Sequence, residues 1–277
     1  MAQTILITGS STGIGKATAL YFADKGWNVI ATMRTPENET ELTERDNVLV
    51  SRLDVLDLDS IQSTIAAAIE RFGNIDVLVN NAGYGAFGPL EVIPRENLVR
   101  QFNTNVIGLL DVTQAILPHF RENKSGTIIN ISSVGGRMTF PLGSLYHGTK
   151  YAVEGISEAL QYELGEVGVK VKLVEPGAIA TDFGGRSFDF QNDESIAEYQ
   201  PVVQQTFAAF EQVLSTGASP ASLVAEVIHT AATDGTNKLR YLAGPDAEQF
   251  MAARGQMDDE SFIGMIKEQF GFSETAA

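Results

Sequence analysis

Ser133, Tyr146 and Lys150 lie within one short stretch punctuated by glycine and proline, and their side chains are suited to moving protons. The spacing predicts a loop that runs into a helix at about Ser144. Within that helix Tyr146 and Lys150 are one turn apart and share a face, so the ammonium can lie near the phenol oxygen. A neighbouring cation favours phenolate and lowers the tyrosine pKa toward working pH, which a proton-exchanging tyrosine needs. The plainer alternative is a capped helix with an ordinary surface lysine.

Something must position these groups, and the chain supplies a repeating pattern of short apolar runs and helical segments. Thr4 to Thr8 is an apolar run followed at once by Thr8-Gly9-Ser10-Ser11-Thr12-Gly13-Ile14-Gly15 and an amphipathic helical pattern closed near Gly26. With Asn28 to Thr32 as the next strand this is a βαβ unit. Glycines let a backbone approach a pyrophosphate, and the helix start offers free N–H groups, so a dinucleotide is the natural guest. A tight strand-to-helix connection is the plainer reading of the same residues.

The second strand ends Ala31-Thr32-Met33-Arg34, with no carboxylate at its tip. An acidic residue there suits a ribose 2′-hydroxyl and an arginine a 2′-phosphate, so Arg34 favours NADP(H), with NAD(H) as the second choice. Further strands are expected at Val48 to Leu53, Asp76 to Val79, Thr127 to Ile131, Val169 to Val174 and Leu239 to Ala243. Asp54 and Val55 follow the third strand, where the aspartate can contact an adenine or cap the helix Asp57 to Phe72. Asn80-Asn81-Ala82-Gly83 ends the fourth strand, and Glu175-Pro176-Gly177-Ala178-Ile179-Ala180-Thr181 the sixth, with Pro176 stopping the strand pairing. Small and amide residues at strand carboxyl ends suit the crevice where open α/β sheets hold ligands.

Tyr84 to Pro94 reads as loop, and Arg95 to Phe120 as a long helical region with an awkward Pro118. Asn105 within it is either a structural hydrogen bonder or the holder of a water near the site. Val153, Ile156, Leu160 and Leu164 form an apolar stripe that is core or subunit interface. Residues 182–216 break the alternation with Phe183, Phe188 and Phe190 ahead of a helix, an insert that reads as a substrate lid. Helices are expected over Pro220 to Thr233 and from Asp246 to Ala277. The whole, residues 1–277, reads as one α/β domain, a Rossmann-type doubly wound, seven-stranded parallel sheet flanked by helices.

Composition limits the function classes. Nineteen basic residues against 35 acidic ones give a net charge of −16, which argues against nucleic acid and anionic membrane surfaces as partners. With no cysteine, disulfides and thiolate chemistry are excluded. Scattered His119, His147 and His229 make a metal site unexpected. The N-terminus has no signal-peptide pattern and no apolar run approaches a membrane span, so the expectation is a cytoplasmic protein.

The glycine turn, Asn80-Asn81-Ala82-Gly83, Asn105, Ser133, Tyr146-x-x-x-Lys150 and Pro176-Gly177 with Thr181 together resemble the short-chain dehydrogenase/reductases, over nearly the whole chain and in order. The glycine spacing is similar to that of the shorter subclass, and Ala31-Thr32-Met33-Arg34 to its carbonyl reductase and 17β-hydroxysteroid or retinol dehydrogenase-like branch. The resemblance implies Tyr146 as general acid in reduction and base in oxidation, Lys150 on the nicotinamide ribose, Ser133 on the carbonyl and Asn105 in a water-linked proton path, with Ser132 a structural neighbour. It implies cofactor contacts from Gly9, Ser11, Thr12, Gly13, Ile14, Gly15, Arg34, Asp54, Val55, Asn81, Ala82, Gly83, Tyr146, Lys150, Pro176, Gly177, Ile179 and Thr181. Thr12 departs from the family, many of whose NADP-dependent members carry a basic residue there. A homodimer or homotetramer paired through the helices at Arg95 to Phe120 and Tyr146 to Leu164 is implied as well. The expected activity is NADP(H)-dependent reduction of an apolar or aromatic ketone or aldehyde, reversible as alcohol oxidation; the alternative is a catalytically silent NADP(H)-binding sensor.

Overall fold

The computed structural model describes residues 2–182 and 185–272. Phe183 of the expected lid and the last residues of the expected C-terminal helix, 273–277, lie outside the described residues. In chain order the first half runs β1 (Thr4–Ile7), α1 (Gly13–Asp24), β2 (Asn28–Met33), β3 (Val48–Arg52), α2 (Leu58–Phe72), β4 (Val77–Asn80) and β5 (Gly85–Phe87). Next come α3 (Arg95–Phe102), a π-helical turn (Asn103–Ile107), α4 (Gly108–Asn123), β6 (Gly126–Ile131), α5 (Ser144–Gly165), β7 (Val169–Pro176) and β8 (Ile179–Ala180). The chain closes with β9 (Phe188–Phe190), α6 (Gln200–Thr216), β10 (Ser219–Pro220), α7 (Ala221–Thr233), β11 (Arg240–Ala243), α8 (Pro245–Gln256) and α9 (Asp259–Gln269).

Seven strands form one parallel sheet in the order β11-β7-β6-β4-β1-β2-β3, all seven at the expected places. Parallel neighbours require crossovers, and the helices cover both faces. The period of two along each strand sends alternate residues to opposite layers. Ile5, Ile7, Val29, Ala31, Val77 and Val79 join one core with Phe22 of α1 and Val224 and Ile228 of α7. Leu6, Ile30 and Leu78 join the other with Ile61 and Ile65 of α2 and Ile116 of α4. Each such fully buried aliphatic side chain contributes about 1.5–3 kcal/mol.

Helix ends follow the local chemistry. Asp57 caps α2 by accepting from Ser60 N at 3.2 Å, and Gly73 closes it with φ 79°. Of the stripe on α5, Val153 and Leu164 are buried and Ile156 and Leu160 half-buried. The Arg95 to Phe120 region is not one helix: it passes through the π turn, which swings Asn105 inward, and continues past Pro118 to Asn123.

Two expectations need correction. Tyr84 to Pro94 is not all loop, because Gly85–Phe87 pairs in parallel with Phe188–Phe190. The pairing is sealed from beneath by the buried Gln101 amide, which accepts from Ala86 N and donates to Tyr84 O at 2.8 Å. The sixth sheet strand also runs on to Pro176, whose register partner is Ala243, and turns only at Gly177. A proline is tolerated at this last position, where the strand is ending. The C-terminal segment forms two helices, and Ala247, Met251, Phe262, Ile266 and Phe270 pack with Val134 and Met138 of the loop after β6. Among the described residues no helix is long and apolar enough to cross a membrane.

Candidate active site

The carboxyl ends of β1, β4, β6 and β7 converge, and each delivers one expected motif. After β1 the chain needs left-handed backbone at Gly9 (φ 71°) and Gly13 (φ 55°), where a side chain would be strained. Gly15 has no room for a Cβ, which would collide with the Gly9 carbonyl and stand 2.5 Å from Asn81 Nδ2. Asn81 Nδ2 donates to Thr8 O at 2.8 Å and Gly9 O at 3.1 Å, while Thr8 Oγ1 accepts from Asn81 N and Ala82 N, both at 3.0 Å. Asn81 therefore holds the shape of the glycine turn. Helix α1 starts beside it with no side-chain cap on its N-terminus and no acidic residue in its first turn. Such an end offers N–H groups and a positive dipole to an anion.

Thr181 faces this turn, its Cβ 3.5 Å from where a Cβ of Gly13 would stand. The segment leading to it is fastened by Asp246 of α8, whose Oδ2 accepts from Ala178 N at 2.6 Å and leaves no room for a side chain at Gly177. Ile179 packs half-buried against the first core, and β8 pairs with β10. Ser11, Thr12 and Arg34 are exposed, Arg34 at the tip of β2. Asp54 Oδ1 accepts from Leu56 N at 3.0 Å, and the helix cap falls to Asp57. Val55 is buried against Gly108, where a Cβ would stand 2.8 Å from the valine.

At the end of β6, Ser133 is 9% exposed, and its Oγ accepts from Gly135 N at 3.0 Å and donates to Pro176 O at 3.4 Å. It also hydrogen-bonds Tyr146. Lys150 Nζ donates to Ile131 O at 2.8 Å and lies 5.7 Å from the centre of the Tyr146 ring. Ser133, Tyr146, Lys150 and Pro176 thus come together. Ser132 is the buried neighbour, its Oγ without a hydrogen-bond partner among the described residues.

The expected direction of the tyrosine pKa is reversed. Burial pushes Tyr146 up, the Ser133 hydrogen bond offsets only part of this, and Lys150 is fastened to a backbone carbonyl. Burial likewise lowers Lys150 to about 8, against the opposing field of Glu154. Below this layer Glu175, pushed up to about 7 by burial and by Glu154, is flanked by Arg137 at 3.3 Å and Arg240 at 3.3 Å.

Asn105 is buried beside α5. Its Oδ1 accepts from Tyr84 N at 3.1 Å, and its Nδ2 donates to Tyr84 O at 2.9 Å and to Thr149 Oγ1 at 3.1 Å. The side chain joins the loop after β4 to α5, and Gly83 lies against it. Over Tyr146 the aromatic residues form a wall: Phe87 stacks at 5.4 Å from the tyrosine ring, and Phe188 at 4.8 Å from Phe87.

Three contributors escaped sequence reasoning. Phe87 lay in a presumed loop, and Asp246 was marked only by its Gly-Pro-Asp context at a helix start. His147 carried a signal in its place directly after Tyr146, where a helix must bury one side. It is 2% exposed, and burial lowers its pKa to about 4.

Comparison with known proteins bears on the family and the fold. An uncharacterized oxidoreductase of Schizosaccharomyces pombe is 47% identical over 239 residues, 86% of this chain and all of the relative. The crystal structure of a short-chain dehydrogenase from Streptomyces avermitilis is 33% identical with a TM-score of 0.85, covering 98% of each chain. ElxO, solved with NADP bound, is 28% identical with a TM-score of 0.72, over 87% of this chain and 98% of its own. Fold, site and relatives define an oxidoreductase enzyme. The chain belongs to the short chain dehydrogenase family, whose model matches residues 3–192.

Proposed function

We propose that this protein is an NADP(H)-dependent reductase of ketones or aldehydes, reversible as an alcohol dehydrogenase, that prefers apolar or aromatic carbonyl compounds. The observation that carries this reading is the cluster of Ser133, Tyr146 and Lys150 beneath the Phe87 and Phe188 wall. The nicotinamide supplies or accepts the hydride. Reduction places negative charge on the carbonyl oxygen, and two hydroxyls aimed at that oxygen stabilise it. Ser133 positions the oxygen, and Tyr146 passes its proton to it as the alcohol forms. Its raised pKa keeps the phenol protonated at neutral pH, the form an acid needs. Lys150 holds the nicotinamide ribose.

The residues present fit a dinucleotide. The turn at Gly9, Gly13 and Gly15 leaves backbone exposed at the uncapped start of α1, and Thr181 faces it. Exposed Arg34 suits a 2′-phosphate. ElxO, with NADP bound, supports the same cofactor. We read residues 182–216 as a lid, since β9 pairs with β5 and sets Phe188 over the site. Pairing of two or four subunits is supported by Val99, Phe102, Ile107, Tyr151 and Tyr162, large apolar or aromatic side chains exposed on α3, the π turn and α5.

Tyr146→Phe tests the reading. It should keep NADPH binding and lose turnover by roughly 10²–10⁴-fold. Near-normal activity in that variant, or a wild-type protein that binds NADPH but oxidises it with no carbonyl compound, would overturn it in favour of a silent sensor.

A further inference from the structure

We propose that His147 is a positioning residue: its imidazole clamps the loop between β6 and α5, and so sets both the Ser133 hydroxyl and the aromatic wall over Tyr146. The ring bridges two backbone groups of that loop. Nδ1 lies 2.8 Å from Gly135 O, and Nε2 3.1 Å from Phe140 N. A carbonyl can only accept and an amide N–H can only donate, so the partners require the neutral tautomer with its proton on Nδ1.

The clamp reaches the chemistry at both ends. Gly135, whose carbonyl takes the Nδ1 proton, gives its own N–H to Ser133 Oγ at 3.0 Å. That bond occupies a serine lone pair and orients the hydroxyl. Phe140, whose N–H is held by Nε2, lies edge-on to the imidazole at 4.2 Å. Its ring stacks on Phe87 at 6.3 Å and meets Phe210 of α6 at 5.4 Å. Through Phe140 the histidine thus reaches both the wall and the segment read as a lid.

The packing is cut to the imidazole. A Cβ at Gly135 would stand 2.9 Å from Nδ1, and one at Gly143 would stand 2.8 Å from both Nε2 and Cδ2. Between Phe140 and Gly143 the loop carries Leu142 at φ 63°, left-handed backbone that a leucine rarely adopts. Such strain persists only where the surroundings enforce it. Here the surroundings are the Nε2 bond to Phe140 on one side and a 2.9 Å bond from Gly88 N to Leu142 O on the other. Burial keeps His147 neutral down to about pH 4, so the clamp holds through the physiological range. The groups that bear on its titration are the two backbone partners, and its titratable neighbour Tyr146, 5.7 Å away ring to ring, is neutral as well.

The clamp itself is a statement about the fold; its effect on turnover rests on the reductase reading. Two variants separate its ends. His147→Asn keeps a donor near Nδ1 and loses the acceptor, whereas His147→Gln keeps an acceptor near Nε2 and loses the donor. Amide exchange should show the Phe140 N–H, which loses its acceptor, at least about tenfold less protected in His147→Asn with Gly135 unchanged; in His147→Gln the Gly135 N–H, bonded to Ser133 Oγ, should loosen instead as its peptide carbonyl loses the Nδ1 donor, with Phe140 unchanged. With NADPH, 1-phenyl-1,2-propanedione and 2,3-butanedione as probes, His147→Asn should raise KM for the aromatic dione about tenfold and spare kcat. His147→Gln should lower kcat about tenfold for both diones and spare KM. Equal exchange at both amides in the two variants, or kcat and KM moving together in both, would overturn the proposal. Should wild type reduce neither dione, the reductase reading fails while the exchange pattern still decides the clamp. The unsubstituted protein gives an independent reading even if a variant does not fold. With three histidines in the chain, imidazole nitrogen spectra resolve each ring. An Nδ1–H tautomer for His147 at pH 7 supports the clamp, and an Nε2–H tautomer overturns it.

Discussion

Acidification should destabilise the protein through His147 by an amount that the burial of one ring determines. The group has an ordinary pKa of 6.5 and is lowered to about 4 by burial in the fold. Above pH 6.5 it is neutral in folded and unfolded chains alike, and its contribution to stability is intact. As pH falls from 6.5 toward 4 the unfolded chain takes up a proton that the folded chain refuses, and stability is lost across that window. Below pH 4 both forms are charged and the loss levels off. The difference corresponds to about 3 kcal/mol in total, of which about 2 kcal/mol has been lost by pH 5. The raw pH profile mixes this with Glu175, whose pKa is raised from 4.5 to about 7 and which therefore gains stability as pH falls through the same range. The assay is accordingly a difference: urea unfolding of wild type and of His147→Gln at pH 7, 6, 5 and 4. The gap between the two should shift by about 2 kcal/mol from pH 7 to pH 5 in the direction that disfavours wild type. Parallel profiles would refute a neutral buried histidine and the bonds to Gly135 and Phe140 that require one.

Other consequences are equally direct. Lys150, lowered to about 8, loses its charge as pH rises through that value, so kcat/KM for NADPH should fall about tenfold per unit beyond it; a flat profile to about pH 10 would remove the charge from the mechanism. Gly15→Ala should cost about 1–3 kcal/mol in denaturant melts and weaken NADPH binding, because its methyl group meets the Gly9 carbonyl and the Asn81 amide; unchanged stability would contradict that packing. Arg34→Ala should raise the NADPH dissociation constant by about tenfold or more and leave NADH nearly untouched, and equal losses would dismiss the 2′-phosphate contact.

Much of this molecule is written in short-range pattern. Alternating apolar residues and glycine punctuation located all seven sheet strands, since period and turn chemistry are local properties. Motif order likewise marked the carboxyl-edge turns, and the stretch from Ser133 to Lys150 was legible as a loop running into a helix. Tertiary structure alone decided other matters, each involving partners far apart in the chain or the surroundings of a group. Phe87 and Phe188 were joined by two three-residue strands about a hundred positions apart, too short to leave a periodic signal. Asn105 was turned inward by a π turn and found Tyr84 and Thr149, partners 21 and 44 positions away. Asp246 reached back to the turn at Gly177 from the far side of the sheet's last strand. The tyrosine pKa moved up because burial, which no spacing reports, outweighs the Ser133 hydrogen bond. Sequence determined which residues could do the chemistry; packing decided their protonation and what holds them, because desolvation and hydrogen-bond geometry exist only once distant segments meet.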